Sequence, residues 1–585
     1  MKILLTDLKL NLTIKIAFCI SLLLLTFILN AQSTLNKISD GWTIFKPSKN
    51  SFIVYVSSSE GDDATGIIYT IKDVGDDPFS PKIHSNLKPF KTFKAAFEKT
   101  RNNHPDWILV KRGDSFFENI RVKNGKSLLE PFLIAAYGNN KSNPIFNTAD
   151  KTALQVCCRS TSNIAIQGLD FYAHTRDPKT SFYISPDGGS GFNIYVAENY
   201  TIKNILLEGN RFKFYGGSGI QGPGKFINIV LRRNSFLDSY STTSHSQGLY
   251  AANVTMKLEE NIFDHNGWLK QADKDIGTKQ GAATIFNHNI YFANSNNVEI
   301  VNNVFLRSSS IHNKFTANKG KNSSTNIIIK NNLYVDGEMG ISAGGNATDA
   351  YRFKDFEINN NVMLNIGRSR PTGRTLGWGM EIQDWDGGII SNNYFLNQEN
   401  PFVNNVFGLK ISGTNRGVQV ENNKFYNLMN GHALVLKNES DEKSISITNN
   451  KFQFKQNSDF IIKYENDLKS YLFENNQYFH KAGKCQTFES DITLDSLYLK
   501  ILKFFMECES TSFNKWLNLT DERENQWGKS FNGKLKTIET YQKLMNKEPS
   551  IDAFIKEFRN LSMKNWNENY TAKAINEYFK TGRSF

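Results

Sequence analysis

The chain has 585 residues, 39% of them hydrophobic and 22% charged, which allows one very large domain or several ordinary ones and excludes a disordered chain. Its formal net charge of +12 favours an anionic partner: nucleic acid, acidic lipid or acidic polysaccharide. Five cysteines over this length exclude a disulfide-built scaffold, and no C-x-x-C or H-E-x-x-H spacing marks a zinc site.

In chain order, Lys2, Lys9 and Lys15 precede an apolar run over 16–29, and N-A-Q-S follows. This pattern predicts a signal peptide over 1–31, cleaved near Ala31. The run is shorter than the ~20 residues that a membrane span needs, and no second run is long enough. A secreted or periplasmic location follows, and nucleic acid drops out as a partner. Export permits disulfides. Cys485 and Cys508 can pair, whereas the adjacent Cys157 and Cys158 would pair only with strain. Next come a strand around F-I-V-Y-V and a short helix over 89–100. Phe90, Phe93, Ala96 and Phe97 share one face of that helix, which suits a lid over the exposed end of a core.

From about 160 the chain repeats. Phrases such as L-L-E-G-N-R-F, E-I-V-N-N-V-F and I-I-S-N-N-Y-F recur, anchored on Asn210, Asn234, Asn261, Asn303, Asn332, Asn361, Asn393, Asn423, Asn450 and Asn476. A period in the twenties with short alternating strands predicts a solenoid. The L-x-x-L-x-L spacing of leucine-rich repeats is absent, and a propeller needs longer repeats. The predicted class is all-β: a right-handed parallel β-helix over 32–480 with an N-terminal helical cap. Asn suits a corner because it tolerates the left-handed backbone region, and stacked Asn side chains can bond along a ladder. The step from Asn261 to Asn303 is longest, so 268–286 reads as an insertion, a loop walling one side of a groove. Beyond 480 the Asn corners stop. Helical patterns at 493–506, at 534–546 and in A-K-A-I-N-E-Y-F predict a helical region over 481–585 that covers the open C-terminal end.

The leader, the P-F-K-T-F-K-A-A helix and the N-N-x-F coils together resemble exported right-handed β-helix proteins of the pectate-lyase-like superfamily, over roughly 50–480. The resemblance implies the fold. It leaves the activity open, because that superfamily contains polysaccharide lyases, glycoside hydrolases, uronate epimerases, esterases and non-catalytic adhesins.

Candidate site residues come from stacking the coils. The phrases L-Y-A (249–251), I-Y-F (290–292), K-F-T (314–316), I-S-A (341–343), M-E-I (380–382) and L-K-I (409–411) line up. Alternation then sends Tyr250, Tyr291, Phe315, Ser342, Glu381 and Lys410 outward. Lys314 does not belong inside, which leaves the frame of that strand open. H-N-I-Y-F-A-N and H-N-K-F-T-A-N match 24 residues apart, which aligns His288 with His312. His245 and His265 fall on turns nearby.

On uronic acids, β-elimination needs a carboxylate neutraliser, a base for the C5 proton and an acid for the leaving oxygen, and His, Lys and Tyr can move these protons. The expected catalytic set is His288, Tyr291, His265, His245 and Tyr250. The expected substrate-binding set is His312, Lys314, Phe315, Glu381 and Lys410. The expected activity is lyase or dehydratase chemistry on an anionic, uronic-acid-containing polysaccharide or its oligosaccharides. A glycoside hydrolase using Glu381 with Asp384 or Asp386 is one alternative, and a non-catalytic glycan-binding solenoid is another. No cofactor is expected, with calcium at Asp384 and Asp386 as the exception to test. The expected chain is a monomer with no membrane span after leader removal.

Overall fold

The structure is a computed structural model that describes residues 41–81, 86–184, 188–272, 279–317, 324–345, 353–398, 400–429, 431–440, 443–454, 461–465, 468–480, 488–490, 511–523, 526–527, 532–533, 536–581 and 583–584. The leader, Cys485, Cys508 and the helical pattern at 493–506 lie outside these residues. No helix among the described residues is long and apolar enough to cross a membrane.

Each coil visits three sheets in the same order. Thr201–Glu208 leads to Arg211–Lys213 and then to Gly219–Gln221; the next coil repeats with Lys225–Arg232, Ser235–Leu237 and Gln247–Ala252. Successive coils pair in parallel. Among the described residues the three sheets hold 15, 14 and 12 strands in that order. We call them the back, flank and groove sheets. The molecule is a parallel β-helix, as the repeat spacing predicts.

The ladder of asparagines runs the length of the coils. Asn210 Nδ2 donates to Asn234 Oδ1 (3.1 Å), and the same bond recurs through Asn261, Asn303, Asn332, Asn361, Asn393, Asn423 and Asn450 to Asn476. Each amide also donates to a carbonyl of an earlier coil, as Asn393 does to Ile358 (2.8 Å). The buried polar groups are thereby satisfied, which close packing requires. Asn476 ends the ladder on Glu522, which Tyr478 and Trp516 also bond. One part of the sequence reading is corrected here. The left-handed residue of each corner is the one before the ladder asparagine: Asn302, Asn331, Asn360, Asn392 and Asn422 have φ between 53° and 59°.

Two residues after each ladder position an aromatic side chain or Met363 points inward. Phe212, Phe236, Phe263, Phe305 and Tyr334 form a stack with centroids 4.6–5.4 Å apart, and Phe395, Phe425, Phe452 and Tyr478 form another. At the N-terminal end the helix Phe93–Glu98 lays Phe93 and Ala96 onto this core, and Thr92 caps it by accepting from Ala95 N (3.1 Å). The adjacent Cys157 and Cys158 are joined as a disulfide.

The tail departs from the predicted end cap. The helix Thr511–Thr520 does close the last coils, with Trp516 packed on Phe473. The helices Ile538–Leu544, Ile551–Arg559 and Ala572–Lys580 instead lie along the outer face of the flank sheet. Phe554, Phe558, Ile575 and Phe579 cover Val304, Leu306, Leu333, Val335 and Leu364 there. Trp566 reaches back to the start of the described chain, where its ring meets Trp42 edge-on and both rings flank the Arg233 guanidinium.

Candidate active site

On the groove sheet Tyr250, Tyr291, Lys314, Ser342, Glu381 and Lys410 occupy one register line. Coils are ~4.8 Å apart, so these side chains form one outward row. A second line runs beside it: Gln247, His288, Ile311, Met339, Trp378, Phe407 and His432. A groove of about 690 Å³ opens over both lines, with Arg374 and the exposed His245 and Phe286 on its walls.

His288 is buried under the Tyr291 ring (centroids 5.6 Å apart, edge-on). Its backbone N donates to Gln247 Oε1 (2.6 Å), and its Nδ1 accepts a long 3.4 Å contact from Ile311 N. Burial pushes its pKa well below the usual histidine value, and Lys314, Arg374 and His245 add to the effect. The ring is neutral near pH 7, and with Nδ1 accepting, Nε2 carries the proton. Lys314 donates from Nζ to Ser342 Oγ (3.0 Å) and to the Gly344 carbonyl (3.2 Å). Burial lowers its pKa, against an upward pull from Glu381. Tyr250 and Tyr291 meet edge to face at 5.4 Å, and Thr316 Oγ1 donates to the Tyr291 hydroxyl (3.2 Å). Burial raises the Tyr250 phenol, with help from Tyr291. Arg374 is held by Glu338 Oε2 (2.7 Å) and Ser310 Oγ (2.7 Å). Glu381 is paired with Lys410 at 2.7 Å.

The structure thus brings together His245, Tyr250, His288, Tyr291, Lys314 and Glu381, with Lys410 beside them. Three of the residues expected from sequence lie elsewhere. Phe315 is fully buried and stacks on Phe292 at 5.6 Å. His312 is also fully buried, and its Nδ1 accepts from Asn289 Nδ2 (2.9 Å) while Nε2 donates to the Asp336 carbonyl (2.8 Å). The cause is register: His288 pairs with Ile311 and Tyr291 with Lys314, one residue off the frame in which the two His-Asn phrases align. A one-residue slip moves every side chain to the opposite face. His265 sits at a corner of the flank sheet with φ 57°, bonded through Nδ1 to Asp238 (3.1 Å) and packed at a tilt against Trp268 with ring centroids 4.3 Å apart.

The insertion contributes Ile285 and Phe286 to the groove wall. Its stem is part of the fold, because Ala282 and Ala283 are buried and Leu269 packs on the core. Asp384 accepts from Thr414 N (3.0 Å) at a corner, and Asp386 pairs with Arg416 (2.8 Å). Among the described residues no cluster of three or more His, Cys, Asp or Glu is arranged to hold a metal ion. Sequence reasoning missed Arg374, Gln247 and Trp378. The signal for Arg374 was length: Asn361 to Asn393 is a 32-residue step, and Arg374 rides on its extra turn.

No family model matches the chain, and no curated protein matches it in sequence. Solved structures similar to it include the A-module of the mannuronan C-5 epimerase AlgE6 of Azotobacter vinelandii, at 10% identity over 72% of this chain and 91% of that one (TM-score 0.35). A mannuronic-acid-specific family 6 polysaccharide lyase from human gut microbiota is similar at 12% identity over 71% and 94% (TM-score 0.39). The lacto-N-biosidase of Eubacterium ramulus is similar at 12% identity over 81% and 67% (TM-score 0.33). At these identities and scores the chemistry has to be argued from the groove itself.

Proposed function

We propose that this chain is a carbohydrate-active enzyme that cleaves an anionic, uronic-acid-containing polysaccharide by β-elimination. The observation that carries the reading is the convergence of Lys314, Tyr291 and His288 in one groove. Burial there favours the neutral amine of Lys314, so it suits the base that takes the C5 proton. Tyr291, one coil away, can give its hydroxyl proton to the leaving oxygen as the C4–O bond breaks and the C4–C5 double bond forms. Neutral His288 and the Arg374 guanidinium are donors for the substrate carboxylate, which must be neutralised for the C5 proton to leave. The groove's described lining carries a single carboxylate, Glu381, which Lys410 pairs, so little there repels an anionic substrate.

Glycoside hydrolysis needs two carboxylates facing one sugar. Among the described lining residues only Glu381 qualifies, and Lys410 engages it. The test is to incubate the protein with a panel of uronic polysaccharides and follow absorbance of the unsaturated uronate. Lys314→Met and Tyr291→Phe should each lower turnover by at least ~10²-fold, the low end for a positioned acid or base. Product without the unsaturated band, abolished by Glu381→Gln but untouched by those two variants, would overturn the reading in favour of hydrolysis.

A further inference from the structure

Lys314 and Tyr291 stand one coil apart on the groove sheet, and their tips are anchored toward the same end of the strands. Lys314 Nζ donates to Ser342 Oγ (3.0 Å) and to the Gly344 carbonyl (3.2 Å). The Tyr291 hydroxyl accepts from Thr316 Oγ1 (3.2 Å). Thr316 comes just after Lys314 on its strand, as Gly344 comes just after Ser342, and Gly344 N donates to the Phe315 carbonyl (3.2 Å). The two anchors therefore lie side by side on neighbouring coils.

These bonds leave each tip with the capacity that elimination needs. A neutral amine carries a lone pair beside its two N–H groups. With both N–H groups donated, to Ser342 and Gly344, the lone pair of Lys314 is what remains to take a proton. The Tyr291 hydroxyl accepts from Thr316, so its own proton is left for a leaving oxygen.

A base and an acid that rise from one floor meet the same face of a sugar ring lying over them. The other proton-exchanging groups of the described lining do not serve the far face. Tyr250 and His288 belong to the same floor. His245 precedes the strand Gln247–Ala252, so it stands where the groove strands begin, whereas Lys314 and Tyr291 lean toward their ends. Glu381 is engaged by Lys410, and Arg374 by Glu338.

Ring stereochemistry turns this placement into a specificity. H5 and O4 lie on one face of the ring in D-glucuronate and D-mannuronate. They lie on opposite faces in D-galacturonate, L-guluronate and L-iduronate. We infer that the groove carries out syn elimination, and so cleaves at D-glucuronate or D-mannuronate and not at the other three. Lys314 Nζ takes the C5 proton, the C5–H electron pair becomes the second C4–C5 bond, the C4–O4 bond breaks, and Tyr291 protonates O4. Return of the proton from Lys314 to the Tyr291 phenolate resets the pair. The inference rests on the β-elimination reading, which by itself fits either stereochemistry.

Elimination erases the configurations at C4 and C5, so the substrate has to report them. The test measures kcat, by the unsaturated band, on saturating polymannuronate, polyglucuronate, polyguluronate and polygalacturonate. At least one of the first two should be cleaved. The last two should turn over at least ~10²-fold more slowly, because one of the two groups then faces the wrong side of the ring and a positioned acid or base is lost. A mixed chain removes differences in binding. In alternating mannuronate–guluronate, or in ulvan with its glucuronate and iduronate, proton NMR of the digest should show loss of the D-configured uronate alone. Loss of guluronate or iduronate, or a trans polymer cleaved as fast as a cis one, overturns the syn assignment and leaves elimination standing. An absent unsaturated band on every polymer sinks the elimination reading and this inference with it.

Discussion

At the scale of single residues, His312 shows how a chemically suggestive side chain becomes structural. Asn266 donates to Asn289 Oδ1 (3.0 Å), Asn289 donates to His312, and His312 donates to the Asp336 carbonyl, a short internal polar chain. Burial pushes the His312 pKa down to about 4, against a smaller upward pull from that carbonyl. The folded protein therefore binds this proton less tightly than the unfolded chain, whose histidines titrate near ~6.5. The stability contribution is complete above about pH 6.5 and is lost as the pH falls toward about 4. His288 is lowered by burial as well and acts in the same direction. His312→Asn removes one of these groups. It leaves the Asp336 carbonyl without its donor, at a cost of about 1–3 kcal/mol at neutral pH. Melting followed from about pH 7 to about pH 4.5 should fall less steeply in His312→Asn than in the unaltered protein; parallel curves would show that His312 does not carry the dependence. The histidine-rich segment was legible as the place where a groove forms, but not which histidines face it. That depended on a 23-residue rather than a 24-residue offset between coils. Lys314 was the one residue able to report the slip, since an inward lysine costs too much to be tolerated unpaired.

At the scale of the repeating element, the paired asparagines divide two jobs that the sequence shows as one motif. Asn392 takes the left-handed corner at φ 56°, and Asn393 carries the ladder. Asn393 Oδ1 accepts both from Asn361 N and from Asn361 Nδ2, each at 3.0 Å, while its own Nδ2 bonds Ile358 O and Asn423 Oδ1. Asn392→Gly keeps a residue that adopts positive φ freely, so its cost should stay below about 1 kcal/mol. Asn393→Gly strands buried donors and acceptors on both sides and opens a void; about 2–4 kcal/mol is expected. Urea unfolding of the two variants decides the division, and equal losses would refute it. The ladder positions, the inward aromatics and the solenoid class were all readable, because each follows from a phrase that occurs ten times along the chain. The backbone role of each asparagine was not, because either residue of an N-N pair can take positive φ and only the side-chain partners distinguish them.

At the scale of the whole molecule, the tail binds the coils together along their length rather than closing one end. The sequence carried a sign of this that pattern reading passed over. In I-F-D, V-F-L, L-Y-V, V-M-L and Y-F-L the residues on both sides of the inward one are buried too, and flank-sheet strands covered on both faces read as continuous apolar runs. The tail also supplies charge. Arg559 bonds Asp238 and Asp264, and Asp264 is fully buried and held in addition by Arg307 (2.8 and 2.6 Å). Burial alone would raise Asp264, but Arg307 and Arg559 bring its pKa below the usual carboxylate value. His265 belongs to the same cluster through Asp238, which is why a histidine two residues after an inward phenylalanine does not reach the groove. Arg559→Leu removes one partner from a buried ion cluster and should destabilise by about 3–5 kcal/mol. The variant keeps every groove side chain, so residual turnover below its lowered melting temperature should match that of the unaltered protein. His265→Ala should behave alike with a smaller stability loss, whereas a loss of turnover with melting unchanged would return His265 to the chemistry.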